Sequence, residues 1–278
     1  MQEILQVFAI EAFLHRLVES VDRDRFVLKG GALLPAFSGR RPTRDIDFQA
    51  NSLPMENEVI LNRMLHVASF ECHDGVNFDE SSASATMIRN DDPYVGIRVY
   101  IRVHIATAVV KLTVDVGTAD PIIPEPRPVD LPRLLGGSIQ VLAYPLEMVL
   151  AEKIVTAISR GTANTRWRDF WDVVSLSRRH VVQADVLTDS LRNVADFRQV
   201  ELVPLSNVLV NFHSLGQSGW ASWRRRNSLE DSSPHDFGEV LAEFIRFADP
   251  VVRDVSRGMV WDQNGRRWIR HVDEAESN

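Results

Sequence analysis

Asp45 and Asp47 are the residues of this 278-residue chain best suited to metal-assisted chemistry. They alternate with Ile46 and Phe48 in the segment DIDFQA, and this alternation is typical of a half-buried strand. Side chains two residues apart on a strand lie on the same face, with Cα atoms about 6.6 Å apart. Two such carboxylates can bind Mg²⁺ ions that lie about 3.5–4 Å apart. A solvated strand face would give the same pattern.

A pair of glycines, Gly30 and Gly31, precedes Asp45 with thirteen residues between them. The pair ends the strand-like run FVLK and opens a short helical pattern. Because glycine has no side chain, the backbone N–H groups of this turn are open to an anion such as phosphate. Together the two segments indicate phosphate binding beside a metal site, although a tight turn between a strand and a helix also explains the glycine pair.

A third carboxylate is expected near the first two. Residues 107–117 alternate between apolar and polar side chains, which predicts a strand, and Asp115 lies on its polar face between Val114 and Val116. If this strand lies beside DIDFQA, three carboxylates share one sheet face, as in two-metal sites for phosphoryl transfer. Taken alone, Asp115 also fits a turn at the end of a strand.

Lysine is rare in this chain, since only three of the 31 basic residues are lysines, namely Lys29, Lys111 and Lys153. Lys153 lies in the middle of a predicted helix, where its compact ammonium could neutralise a triphosphate. Asp169 and Asp172 lie three residues apart on the next predicted helix, so either could hold this ammonium or orient an incoming hydroxyl. An ion pair between the two helices is the structural alternative.

Helices and strands that could position these residues follow one another along the chain. We predict helices at residues 1–20, 55–70, 145–161, 165–180, 183–199 and 236–256, and a short helix after the glycine pair. Strands are predicted for FVLK, DIDFQA, 94–105, 107–117 and SIQVLAY, followed by a terminal hairpin around Asn264 and Gly265. Loops are predicted at 40–44 and 214–234, and a loop with room for a short strand is predicted at 71–93. A proline-rich domain connector is predicted at 121–132, and a frayed acidic tail at the end.

The composition is that of an ordinary globular protein, with 45% hydrophobic and 25% charged residues and a net charge of −7. It excludes collagen-like, disordered and disulfide-rich classes, and the length predicts about two domains. The single cysteine, Cys72, favours a reducing compartment. We find no run of roughly 18 apolar residues that could span a membrane. We therefore expect a cytoplasmic protein without a membrane partner.

Four segments taken together resemble one known family. They are FVLKGGALL, RRPTRDIDF, AEKIVTAISR and RWRDFWDV. In order and spacing they resemble the AbiEii-type nucleotidyltransferase toxins of bacterial type IV toxin–antitoxin systems, a branch of the DNA polymerase β nucleotidyltransferase superfamily. The resemblance covers residues 26–48, 110–116 and 144–176. Lys29 and Gly31 depart from the broad superfamily, which has a hydrophobic residue followed by glycine and serine, but lysine at this position is typical of the AbiEii branch.

The resemblance implies an α/β fold, namely a nucleotidyltransferase fold with a mixed sheet flanked by helices, plus a mostly helical C-terminal domain. Residues 1–130 would form the catalytic domain. Residues 131–278 would form the second domain, which would complete the nucleotide-binding cleft.

The resemblance also implies roles for the residues at matching positions. Those implied to bind magnesium, as two Mg²⁺ ions, are Asp45, Asp47 and Asp115. Those implied to contact the nucleotide are Lys29, Gly30, Gly31, Thr43 and Arg44. Lys153 would contact the triphosphate, and Asp169 would be the distal catalytic carboxylate, with Asp172 as the alternative for that role.

The function implied by the resemblance is transfer of a nucleoside monophosphate from an NTP to RNA, often at the 3′ acceptor end of tRNA, with a cognate antitoxin as partner. The stretch WASWRRRN interleaves Trp220 and Trp223 with arginines and would offer a basic, base-stacking surface, unless it is a solvated loop. Two other functions fit the same residues. One is an antibiotic-type nucleotidyltransferase that modifies small molecules, and the other is a non-catalytic interaction protein that keeps the fold.

Overall fold

The computed structural model describes residues 2–39, 43–89, 95–118 and 121–270. The acidic tail and parts of the predicted loops at 40–44 and 71–93 lie outside the described residues. The described chain divides into two compact units. The first comprises Met1–Ala119 with Glu125–Pro145, and the second comprises Asp120–Pro124 with Leu146–Asn278.

The first unit is built on a seven-stranded sheet. Its helices in the described ranges are α1 (Gln2–Glu19), α2 (Gly30–Leu33) and α3 (Asn57–Ala68). Its strands are β1 (Phe26–Lys29), β2 (Asp45–Ala50), β3 (Val76–Arg89), β4 (Val95–Ile105), β5 (Ala108–Gly117), β6 (Arg127–Pro132) and β7 (Ser138–Ala143). The strand order is β3-β4-β5-β2-β1-β7-β6. The pairs β1–β7 and β2–β5 are parallel and the others antiparallel, which confirms the predicted mixed sheet flanked by helices.

Burial of alternate side chains determines which face of the central strand β2 is polar. Ile46 and Phe48 are 0% and 1% exposed, and burying each of them contributes about 1.5–3 kcal/mol. Helices α1 and α3 pack against the sheet. A shift of one residue in the pairing register would bury Asp45 and Asp47 in place of these apolar residues. The register is therefore strongly specified, and it puts both carboxylates on the face opposite to the core.

The loop predicted at 71–93 is wrong for most of its length, because residues Val76–Arg89 form β3, a strand of 14 residues rather than the short one considered there. This strand lies at the edge of the sheet and pairs with β4 alone. Ser81, Ser84 and Thr86 are exposed along it. An edge strand with one solvated face can be rich in small polar residues, and so its composition resembles that of a loop.

The predicted connector at 121–132 is also partly a strand, since its second half is β6. Proline is tolerated there because β6 is the other edge of the sheet and pairs only with β7. Strand β7, from the segment SIQVLAY, pairs in parallel with β1. Strands β6 and β7 belong to the first unit, whereas the domain boundary predicted from the sequence put SIQVLAY in the second domain.

The second unit is mostly helical in the described ranges. Its elements are α4 (Leu146–Arg160), α5 (Trp167–Ser177), α6 (Ala184–Arg198), α7 (Leu205–Val208), α8 (Phe212–Arg226), α9 (Phe237–Val252), β8 (Met259–Asp262) and β9 (Arg267–Arg270). The antiparallel pairing of β8 with β9 confirms the hairpin predicted around Asn264 and Gly265. Across the described part of the chain, every helix is too short or too polar to cross a membrane.

Helix α8 replaces much of the loop region predicted at 214–234. Its buried residues, Phe212, Gly216, Trp220 and Arg224, recur at intervals of four. Glycine weakens helix propensity, and this buried stripe is only one residue wide, so the local pattern carries little helical signal. Aromatic packing stabilises helix α8 where its intrinsic helix propensity is low. Phe212 packs edge-on against Phe237, with ring centres 5.4 Å apart.

Candidate active site

Charged residues form one row across adjacent strands of the first unit. Asp47 on β2 is in register with Lys29 on β1 and with Asp115 on β5. Asp115 is in turn opposite Arg98 on β4. Residues in register on neighbouring strands project on the same face, with Cβ atoms about 5 Å apart. Strand β5 lies beside β2, which meets the condition under which the sequence puts three carboxylates on one sheet face, and Asp45 lies on this face two residues from Asp47.

Gly30 brings the glycine turn into contact with this row. Its φ is +67°, in the left-handed region that glycine adopts without strain. A Cβ atom at this position would lie 2.0 Å from Oδ2 of Asp47, well inside the closest approach of real atoms. Only glycine therefore fits between the turn and the carboxylate. The helix that follows, α2, is a single turn of four residues.

Asp115 is bound at both oxygens by an arginine that the sequence analysis did not single out. Nε of Arg98 donates to Oδ1 of Asp115 at 2.7 Å, and an Nη of the same guanidinium donates to Oδ2 at 2.6 Å. This pairing raises the pKa of Arg98 above its ordinary value. The alternating pattern of β4 could have placed Arg98 on a polar strand face, but only the strand order puts that face beside Asp115.

The oxygens of Asp45 and Asp47 suit Mg²⁺, which prefers carboxylate ligands. Both side chains are half-buried on one strand face, and Gly30 leaves the backbone close to Asp47. Within the described ranges, no group of three or more His, Cys, Asp or Glu side chains is arranged to hold a metal ion. The carboxylate chemistry of Asp45 and Asp47 fits a divalent cation. Both oxygens of Asp115 accept hydrogen bonds from Arg98. Metal binding by these residues stays a prediction.

Helix α1 holds the segment that leads into β2. Nε2 of Gln6 donates to the carbonyl oxygens of Arg44 and Lys111, at 2.9 and 3.2 Å. The Thr43 hydroxyl donates to the carbonyl oxygen of Asp45 at 3.5 Å. The Thr43 side chain is therefore hydrogen-bonded to the backbone two residues away. Arg44 is exposed and immediately precedes Asp45. Their contact with nucleotide phosphates stays a prediction.

Gln49 and Tyr144 lie beside the row and were also missed by the sequence analysis. Tyr144, which follows β7 and is fully buried, donates its hydroxyl to Oε1 of Gln49. The ammonium of Lys29 lies 5.4 Å from the centre of the Tyr144 ring. Gln49 continues the alternation of Asp45 and Asp47 along β2, which is the one sequence signal that could have indicated it.

In the second unit, Lys153 on α4 is held by two aspartates of α5. Its Nζ donates to Oδ1 of Asp169 at 2.9 Å and to Oδ2 of Asp172 at 2.8 Å. Nε of Arg166 donates to the other oxygen of Asp169 at 2.7 Å. The side chains of Lys153, Asp169 and Asp172 are 12%, 5% and 4% exposed. The interhelical ion pair considered from the sequence is therefore present, and the structure brings all three predicted residues together.

Two opposing effects act on the carboxyl group of Asp169. Burial by itself would raise its pKa, because it penalises the charged form. The positive charges of Lys153 and Arg166 outweigh burial and hold the pKa of Asp169 well below its ordinary value. Asp169 therefore remains ionised when the unit is folded, even in mild acid.

This depressed pKa predicts a loss of stability in acid that depends on Asp169. An unfolded chain binds the proton near pH 3.9 and the folded chain only at lower pH, so the free energy of unfolding falls as pH drops below about 5. Asp169→Asn is expected to cost roughly 3–5 kcal/mol at pH 7, because it breaks a buried ion pair, and to flatten this acid dependence. Urea unfolding at pH 7 and pH 4 measures both effects. The exposed Asp231→Asn is the matched control, and an equally steep acid dependence in Asp169→Asn would contradict the prediction.

The stretch WASWRRRN is neither a solvated loop nor an open stacking surface. It lies at the end of α8, where Trp220 is fully buried and its indole Nε1 donates to the carbonyl oxygen of Pro234. Arg224 is buried as well, with Nε donating to Ser233 Oγ at 2.9 Å. Arg225 and Arg226 remain exposed. The structure therefore corrects both interpretations, because Trp220 and Arg224 are buried in the second unit rather than exposed on a basic surface.

Comparison with solved structures identifies the fold. A candidate nucleotidyltransferase from H. pylori superposes with a TM-score of 0.52 at 15% sequence identity, over 91% of this chain and 96% of that chain. JHP933 from Helicobacter pylori gives a TM-score of 0.52 at 16% identity, over 91% of this chain and 93% of that chain. No curated protein matches the chain in sequence. The fold, together with the glycine turn and paired aspartates, is that of a nucleotidyltransferase.

The family follows from the sequence itself. The family model described as "Nucleotidyl transferase AbiEii toxin, Type IV TA system" matches residues 12–243. The chain belongs to the AbiEii family of nucleotidyltransferase toxins, which confirms the resemblance drawn from its motifs. Membership of a toxin–antitoxin family implies a nucleotide substrate and an antitoxin partner.

Proposed function

We propose that this chain transfers a nucleoside monophosphate from an NTP to RNA in a Mg²⁺-dependent reaction, with the 3′ end of tRNA as the first acceptor to test. It would act as the toxin of a toxin–antitoxin pair. The observation that carries the proposal is the contact of the glycine turn with the paired aspartates, where a Cβ at Gly30 would meet Asp47 at 2.0 Å. The turn that would accept phosphate and the carboxylate that would bind the metal are therefore adjacent.

In this proposal the first unit binds the nucleotide triphosphate at its polar sheet face. Asp45 and Asp47 would hold Mg²⁺, which supplies positive charge to offset the charge that develops at the reacting phosphate. The backbone at Gly30 and Gly31 would bind the phosphates, with Lys29 and the residues Thr43 and Arg44 beside them. The acceptor hydroxyl would attack the α-phosphorus, and pyrophosphate would leave with the electrons of the broken P–O bond.

Lys153 and its hydrogen-bond partners Asp169 and Asp172, all in the second unit, would have the other two roles in the proposed reaction. Lys153 would contact the triphosphate, since a compact ammonium suits phosphate as a point charge. Asp169 would be the distal catalytic carboxylate, with Asp172 as the alternative. The variants Asp169→Asn and Asp172→Asn, compared at equal folded fraction, distinguish the two, because only the catalytic carboxylate should lower the rate of the folded protein.

An anionic acceptor is supported by the cations near the aspartates of the first unit. Lys111 is exposed on β5, on the same face as Asp115, and its ammonium lies 3.5 Å from the centre of the Tyr100 ring. Arg44 is exposed immediately before Asp45. Cations and an aromatic ring beside the reacting centre suit the phosphates and bases of RNA. They do not suit a cationic aminoglycoside, which would need an acidic acceptor pocket.

Labelled nucleotides test the proposal directly. The purified chain is incubated with each of the four α-³²P-labelled NTPs and total RNA, with Mg²⁺ or with EDTA. We expect label in RNA of tRNA size with at least one NTP, and no label in EDTA. A parallel reaction replaces RNA with an aminoglycoside panel. Label that enters an aminoglycoside but never RNA would overturn the RNA proposal in favour of small-molecule modification, and incorporation in EDTA would overturn the requirement for a divalent cation.

A further inference from the structure

Lys111 on β5 is an exposed cation beside the paired aspartates of β2. Thr113 is the register partner of Asp45, so Lys111, two residues earlier on β5, lies on the same sheet face and diagonal to Asp45. The spacing between strands and along a strand puts the two Cα atoms about 8 Å apart. Nε2 of Gln6 donates to the carbonyl oxygens of both Lys111 and Arg44, which fixes β5 against the segment that leads into β2.

The ammonium of Lys111 is held over an aromatic ring rather than against a carboxylate. Its Nζ lies 3.5 Å from the centre of the Tyr100 ring, a distance at which the electron-rich face of the ring attracts a cation. Tyr100 lies on β4, on the side of β5 that is away from β2. Among the residues that the structure describes, no carboxylate forms an ion pair with Lys111. The charge of this side chain is therefore available to an anion from solution.

The strand order separates this cation from the glycine turn that would bind the nucleotide. Strand β2 pairs with β1 on one side and with β5 on the other. Gly30 and Gly31 follow β1, whereas Lys111 lies on β5. Asp45 and Asp47 thus have the turn on one side and Lys111 on the other. Two substrates that meet at these carboxylates have separate anion-binding groups on the two sides of β2.

We propose that Lys111 binds a backbone phosphate of the RNA acceptor, on the side of the aspartates away from the glycine turn, and that Tyr100 is a positioning residue for its ammonium. The inference rests on the proposed function, because it concerns the acceptor of the same reaction. The 3′ hydroxyl of an RNA is only a few covalent bonds from the phosphate of the same nucleotide, so a cation beside Asp45 is well placed to bind that phosphate. Because the chain has a net charge of −7, an anionic acceptor depends on such local cations.

Binding of RNA without any transfer step tests the role of Lys111. The probe is a short single-stranded RNA with a 5′ fluorescein that ends in CCA-3′, and its anisotropy gives the affinity at several salt concentrations, with Mg²⁺ and without NTP. Lys111→Met is expected to weaken binding about 3- to 10-fold and to reduce the slope of log affinity against log salt by about 0.7, as for one phosphate contact. Lys111→Arg should stay within about twofold of the wild type, because it keeps the charge.

Arg23 provides the matched control. It lies in the turn before β1, at the opposite end of that strand from the glycine turn, and its side chain is 66% exposed. Arg23→Met removes one positive charge from the same unit, as Lys111→Met does, and is expected to leave RNA affinity within about twofold. An equal loss of affinity in the two variants would overturn the inference, because the effect would then follow net charge rather than position.

Tyr100→Leu tests the positioning role, because it removes the ring and leaves Lys111 in place. We expect it to weaken RNA binding about threefold and the double variant with Lys111→Met to bind no more weakly than Lys111→Met alone, since Tyr100 acts through the ammonium. Losses that multiply in the double variant would overturn this role, because the ring would then contact RNA by itself. Thermal unfolding establishes that each variant is folded.

Nucleotide binding distinguishes the acceptor from the NTP as the ligand of Lys111. Equilibrium dialysis with each of the four labelled NTPs and Mg²⁺ should give affinities for Lys111→Met within about twofold of the wild type. Equal losses for NTP and RNA, or an unchanged RNA affinity in folded Lys111→Met, would each overturn the inference. Failure of the proposed function is read separately, from the absence of labelled RNA with the wild-type chain, so the two outcomes are distinguishable.

Discussion

Asp45→Ala is expected to lower nucleotide transfer by about 1,000-fold or more and to leave the fold intact. Asp45 lies half-buried on the polar face of β2, opposite to the face that carries the core residues Ile46 and Phe48, so its removal opens no cavity in the core. A metal-binding carboxylate supports several kcal/mol of charge stabilisation in the transition state, and about 4 kcal/mol corresponds to a factor of about 1,000 in rate. The initial rate of label incorporation measures the effect, with thermal unfolding as the test of folding.

The control for this variant is another aspartate of the same sheet. Asp79 lies on the edge strand β3 and pairs with Arg102, so Asp79→Ala should retain the wild-type rate within about twofold. If Asp45→Ala kept more than about a tenth of the rate, Asp45 would not be a metal ligand. Growth inhibition adds a second readout. Undiminished toxicity of the folded Asp45→Ala chain would favour the non-catalytic interaction protein considered from the sequence.

Gly30→Ala is expected to damage both stability and activity. The new residue would have to adopt φ of +67°, and its Cβ would lie 2.0 Å from Oδ2 of Asp47. The carboxylate must then move by about 1 Å, and a misplacement of that size can lower a rate about 100-fold. Backbone strain and overpacking together should lower the free energy of unfolding by about 2–4 kcal/mol. Urea unfolding and the labelling assay measure the two effects on the same preparation.

Gly75→Ala separates backbone strain from the clash. Gly75 has φ of +73°, close to that of Gly30, but a Cβ at this position would meet no atom within 4 Å. This variant should lose about 1 kcal/mol of unfolding free energy and keep its activity. Comparable activity losses in Gly75→Ala and Gly30→Ala would contradict the argument, because they would trace the loss to general destabilisation rather than to displacement of Asp47.

The central part of the site could be predicted because its signals are local. The alternation of Asp45 and Asp47 with two apolar residues specifies a strand with one polar face, whatever the rest of the fold. Burial of those apolar residues then leaves both carboxylates on the open side of the sheet. The glycine pair is equally local, since Gly30 requires a backbone conformation that other residues adopt only with strain. The family match extends from residue 12 to 243 and agrees with these motifs.

Two predicted loops failed because their true structure depends on neighbours distant in the sequence. Strand β3 is held by pairing with β4 at one edge, and its small polar residues carry no strand signal of their own. Helix α8 is held by a narrow aromatic stripe that packs against residues such as Trp167 and Phe237. In both cases tertiary contacts stabilise an element that local propensity does not favour. The prediction that Trp220 stacks on bases was wrong for the same reason, because its side chain is fully buried in the core of the second unit.

The sequence by itself determined the class of chemistry, since residue types and short spacings are enough to define a glycine turn, a paired carboxylate strand and a lysine held between helices. Only the tertiary structure decided how these groups are engaged. The order of strands puts Arg98 against Asp115, a pairing between residues seventeen positions apart that no spacing rule relates. It also packs the turn at Gly30 against Asp47. Periodicity is a property of one segment, whereas the partner of a charged group depends on which segments the fold brings together.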